Sequence, residues 1–104
     1  MPTLLIDRSM ADFEVRAAQA AQMLKALANE KRLMILCKLL ERGELSVMAL
    51  SEMVGLSQSA VSQHLAKMRD ENIVGFRRDA QTIYYRVADP NAARVLAVLK
   101  SIYC

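Results

Sequence analysis

A chain of 104 residues has room for one domain and one core, not two. At 54% hydrophobic it carries more apolar side chains than so small a domain readily covers, so some helix surface is expected to meet a second copy. The formal charge of +3 suits a polyanion without establishing one; no apolar run is long enough for a membrane span or a signal peptide, so a cytoplasmic location is expected.

Residues 1–8 are expected as a flexible arm. Ser9 followed by Asp12 resembles a capping box, and Phe13, Ala17, Ala20, Ala21, Leu24 and Leu27 then fall on one stripe of a helix ending near Leu27. Asn29 is suited to cap a second helix from Glu30 to about Glu41, with Leu33, Leu36, Cys37 and Leu40 on one face and Gly43 as its stop. Ser46 opens a short helix over Val47–Val54. Gly55-Leu56-Ser57 is a tight turn, and Ser57 caps a further helix from Gln58 to about Glu71. Beyond Asn72 the period becomes strand-like. Residues 73–78 and 82–87 predict a β-hairpin around an Asp79-Ala80-Gln81 loop, and Asp89-Pro90 starts a last helix reaching about Tyr103. The predicted order is α-α-α-α-β-β-α, a mainly α winged helix-turn-helix with a β-hairpin wing, in one domain spanning 1–104.

The helix after Gly55 has the pattern of a DNA-reading element. Val61, Leu65 and Met68 give it an apolar face, whereas Ser59, Ser62, Gln63, Ala66 and Lys67 lie opposite. Glutamine can bond adenine edges in a bidentate manner, and serine can reach several bases or a phosphate. Ser57 and Gln58 sit where free backbone N–H groups attract anions. For this helix alone, a solvated polar face explains the pattern equally well. The hairpin tips the balance, because Arg77, Arg78 and Gln81 form a basic, polar projection suited to backbone or minor-groove contact. His64 lies between the two faces and reads equally as a boundary residue or a DNA contact. Within Ser57–Arg86, Lys67, Arg69, Arg77, Arg78 and Arg86 stand against Asp70, Glu71 and Asp79.

Three blocks, MLKALANEKRLMILCKL (Met23–Leu39), GLSQSAVSQHLAKMRD (Gly55–Asp70) and RRDAQTIYYRV (Arg77–Val87), resemble the ArsR/SmtB family of bacterial winged-helix repressors in order and spacing. The resemblance covers the chain from about Ala20 onward. It implies a homodimer built on the first and last helices, an imperfect palindromic operator in double-stranded DNA, and release when an inducer binds. Metal-sensing members carry thiolates where this chain has Ser46 and Met48, and a hydroxyl and a thioether cannot replace them for a soft metal. From Asp89 onward there is no histidine to build the family's other metal site, so no metal and no cofactor are expected.

The two cysteines, Cys37 and Cys104, are placed like those of the family's redox and reactive-sulfur sensors, the subgroup of the biofilm growth-associated repressor and the haemolysin regulator. That resemblance implies a disulfide or polysulfide bridge formed by oxidants or reactive sulfur species. From its residues alone, Cys37 reads first as a small core side chain, and a bridge requires Cα atoms within roughly 7 Å. The recognition block also resembles the rhizobial nodulation repressor, so a regulator without redox input, or with a metal at a non-standard site, is the alternative. Catalysis is not expected. There is no Cys-x-x-Cys pair, glycine-rich phosphate loop or paired acid and base.

Overall fold

The computed structural model describes residues 3–103, with side chains from Ser9 onward. Its elements are α1 (Thr3–Leu27), α2 (Glu30–Arg42), β1 (Leu45–Ser46), α3 (Val47–Val54), α4 (Gln58–Asp70), β2 (Val74–Asp79), β3 (Thr82–Val87) and α5 (Pro90–Tyr103). Each cap read from the sequence after residue 28 closes a real helix end. The side chains of Asn29, Ser46 and Ser57 accept from the N–H groups of Arg32, Ala49 and Ala60 at 3.1, 3.2 and 3.1 Å. Asp89 Oδ1 accepts from Asn91 N at 2.8 Å. Gly43 and Gly55, at φ 88° and 69°, end α2 and α3 in a conformation that a Cβ would strain.

Three local expectations are corrected. α1 begins at Thr3 rather than Ser9, so the stretch expected as an arm is helical from Thr3; no glycine or proline interrupts Thr3–Leu27, and Ser9 is carried inside the helix. The hairpin loop is two residues, Ala80-Gln81, because Asp79 pairs with Thr82 and extends the ladder. Ala80 takes φ 55° to make that tight reversal. The short strand β1 had no periodic signal; Leu45 and Ser46 pair with Tyr85 and Tyr84, giving an antiparallel sheet of order β1-β3-β2.

The core gathers Ile35, Leu36 and Leu39 of α2, Leu50 of α3, Val61, Leu65 and Met68 of α4, and Ala92 and Leu96 of α5. Val74 and Tyr85 close it from the sheet. Among the described residues, α1 contributes Ala26 and Leu27 at its end, with Met23 packed half-buried against them. The rest of that helix, roughly 38 Å long in all, runs away from the body. The chain therefore measures 60 × 31 × 20 Å, with a radius of gyration of 17.0 Å, against about 13 Å for a compact domain of this length. Among the described residues no helix is long and apolar enough to cross a membrane.

Candidate nucleic-acid interface

Burying Val61, Leu65 and Met68 completely fixes the rotation of α4 about its axis. The opposite side follows from the 3.6-residue period: Gln58, Ser59, Ser62, Gln63, Ala66 and Lys67 are all exposed. The turn that leads into α4 is held by the hydroxyl of Ser51, which donates to the Leu56 carbonyl, and by left-handed Gly55. Ser57 is exposed but its oxygen already caps Ala60 N, so its remaining capacity is mainly as a donor. His64 is half-buried at the edge of this face. Burial, and secondarily the charge of Arg32, hold its imidazole below the ordinary histidine range, so it is neutral at pH 7.

Strand alternation separates the two wing arginines that the sequence placed side by side. Val74, Phe76 and Arg78 share one face of the hairpin with Val87, Tyr85 and Ile83; Arg77 lies on the other with Tyr84. Arg77 is engaged there. Its Nε and Nη2 donate to the Glu44 carboxylate at 2.7 and 3.1 Å, and its guanidinium lies over the Tyr84 ring at 4.8 Å. That hydrogen bond holds the Glu44 carboxyl below the usual glutamate range and raises Arg77 further. Arg78 and Gln81 are exposed, and Arg78 has no ion pair among the described residues.

Two contacts escaped the sequence reading. Glu44 lies 33 positions from Arg77, with no local signal to connect them. Arg69 sits over the Phe76 ring at 5.1 Å, on the same sheet face as Arg78. Its contribution to the basic stretch was visible, but its seat against the wing required knowing how α4 packs on β2.

The cysteines divide. Cys37 is half-buried on α2 and lines an apolar groove of about 510 Å³ with Leu33, Met34, Met53, Leu99 and Tyr103, between α2, the end of α3 and α5. The core reading of Cys37 is therefore only partly right, since it faces a groove. Cys104 lies outside the described residues; Tyr103, which precedes it, lines that groove. At the former thiolate positions, the Ser46 hydroxyl is used to cap α3 and Met48 is exposed.

Residues 29–75 match the bacterial regulatory proteins of the arsR family. The HTH-type transcriptional regulator YgaV of Escherichia coli is 44% identical over 91% of this chain and 96% of its own length. The crystal structure of the transcriptional regulator HlyU from Vibrio vulnificus superposes with a TM-score of 0.86 at 45% identity, covering 92% of this chain and 99% of that one. The transcriptional repressor BigR from Xylella fastidiosa gives a TM-score of 0.82 at 39% identity, over 91% and 93% of the two chains. Similarity of this extent runs through the core, the helix-turn-helix and the wing together. The chain belongs to the arsR family and is a winged-helix, DNA-binding transcriptional regulator rather than an enzyme.

Proposed function

We propose that the protein works as a homodimer that sets α4 of each copy into successive major grooves of an imperfect palindromic operator. The observation that carries this reading is the exposed Ser/Gln face of α4, backed rigidly by three fully buried side chains. Ser59, Ser62 and Gln63 face base edges, Ser57, Gln58 and Lys67 the adjoining phosphates, and His64 contributes a neutral imidazole at the margin. On the wing, Arg78 and Gln81 carry the contact, while Arg77 serves mainly to brace the hairpin against Glu44. Symmetry comes from apolar surface that the single chain leaves uncovered: Phe13 and Leu24 of α1, and Val98 and Ile102 of α5, are all more than half exposed. In vitro selection of bound duplexes followed by titration of Gln63→Ala tests the assignment. A loss of about 1–3 kcal/mol in discrimination at one base pair of each half-site is expected; unchanged discrimination overturns it.

Operator affinity is further set by the thiols. An oxidant takes two electrons and two protons from Cys37 and Cys104 as their sulfurs join; hydrogen peroxide leaves as two waters, and a hydrogen persulfide as two molecules of hydrogen sulfide. Sulfane sulfur retained between the cysteines gives a polysulfide bridge instead. Support for this reading is the position of Cys37 in a groove that α5 closes with Tyr103, next to the terminal thiol in sequence. Because α5 also bears apolar dimer surface, tying its end to α2 shifts the spacing of the two α4 helices, and half-sites about 34 Å apart must be met together. Reduced and persulfide-treated protein are compared for operator binding, as wild type and Cys37→Ser, with mass spectrometry to read the bridge. Weakened binding in treated wild type alone is expected. An unchanged wild type, or an equal response in Cys37→Ser, leaves a regulator without redox input.

A further inference from the structure

Beyond α4 and the wing, one other part of the molecule collects positive charge around a recess. Where α1 ends and α2 begins, a cavity of about 460 Å³ is lined by Lys25, Asn29, Arg32 and Lys67, with Glu71 as its one lining carboxylate. Three cations thus face one anion. The recess adjoins the opening turn of α2, a 13-residue helix whose first N–H groups have no intrahelical carbonyls. Glu30, in that turn, is exposed and does not line it.

Arg32 is the independent sign that this recess is short of negative charge. Its side chain is only 9% exposed, so its charge is largely withdrawn from water. Nη1 donates to the Ala26 carbonyl at 3.0 Å and reaches Glu71 only at 3.5 Å. Its Nε is buried without any acceptor. A guanidinium has five N–H donors and no means of shedding its charge, so an unused buried donor and a distant counter-ion leave it short of negative charge. The same charge reaches His64 at the edge of the α4 face, helping to hold its imidazole neutral. Lys67 links the two regions directly, since it belongs to the outward face of α4 and also lines the recess.

We propose that this recess receives a backbone phosphate of the same duplex that α4 reads, with Lys25 and Arg32 supplying a contact from outside the helix-turn-helix and the wing. The inference rests on the DNA-binding reading above and deepens it. A helix lying in the major groove is flanked by phosphates, and the recess is continuous with one flank of α4 through Lys67. The contact positions the protein and carries no base information, so its loss affects every sequence alike.

The test uses the full chain and a mixed-sequence duplex of about 30 base pairs, titrated by fluorescence anisotropy over a salt series. Lys25→Gln is the informative variant, because Lys25 is exposed and its loss leaves the core intact, whereas replacing Arg32 would also remove the Ala26 bond. Expected is a loss of about three- to tenfold in affinity and a flattening of the log K against log salt slope by about one. Lys38→Gln, in the groove between α2 and α5, leaves both unchanged. An unaltered slope in Lys25→Gln, while Gln63→Ala still relaxes base preference, overturns the phosphate contact and spares the reading of α4. If millimolar inorganic phosphate raises the melting temperature of wild type but not of Lys25→Gln, and the slope is unaltered, the recess is a small-anion site and the duplex assignment falls. Absence of duplex binding by wild type overturns both readings.

Discussion

α4 and α1 are both amphipathic, yet only α4 finds its complement within one chain. α4 buries Val61, Leu65 and Met68 to zero exposure, and its polar side is thereby aimed outward. α1 buries its apolar stripe at its end, at Leu27, and leaves it open further back, where Leu24 is 57% and Phe13 68% exposed. The two helices show that an apolar stripe specifies burial but not by what. In α4 the burial is intramolecular and sets the direction of its polar face, whereas most of α1 lies uncovered in the single chain, the surface that the proposed dimer would bury.

Substitutions in the two helices should separate these cases. Leu65→Ala opens a cavity in the packed centre and is expected to lower unfolding stability by about 2–5 kcal/mol in chemical denaturation. A loss below about 1 kcal/mol would mean that the centre is looser than its burial indicates. Phe13→Glu with Leu24→Glu should leave the fold of a single chain intact, since neither side chain is covered, but yield a monomer in sedimentation. Its affinity for a palindromic duplex should fall by about 100-fold as the two half-sites uncouple. A double variant that remains dimeric would place the interface elsewhere.

The wing sharpens the same contrast on a smaller scale. Arg78→Ala should weaken duplex binding uniformly and reduce the salt slope by about one. Arg77→Ala should change the slope less, because its guanidinium is committed to Glu44 at 2.7 Å. Equal slopes for the two variants would show that the ion pair opens on DNA. The smallest effect is in pH. Glu44 is lowered on folding, so its pairing stabilises the hairpin above the ordinary glutamate value of 4.5 and is lost as pH falls through the depressed folded value. Lower protection of the β2 and β3 amides, relative to their intrinsic exchange rates at each pH, is expected in wild type at acid pH, and Glu44→Gln should show that lower protection already at neutral pH.

Much of this protein was legible because local rules were strong. Asn29, Ser46, Ser57 and Asp89 marked helix starts, the period of Val61, Leu65 and Met68 gave the orientation of α4, and β-branched and aromatic residues marked the hairpin. What was missed lacked such a signal. β1 is two residues long and exists only because β3 has an open edge beside it. Ala80 is not a residue that advertises a left-handed turn. The Ser9 cap looked sound, yet nothing before it stops α1 from extending to Thr3.

The sequence by itself determined the order of the elements and which side of α4 faces out, because capping and periodicity act within a few residues of the chain. Only the tertiary structure decided that Arg77 is held by Glu44 while Arg78 is open, that Cys37 faces a groove beside Tyr103, and that Arg32 and Lys67 share a recess. Those facts depend on side chains distant in sequence meeting across packed elements. Which ones meet is set by the relative placement of helices and strands, which no local pattern encodes.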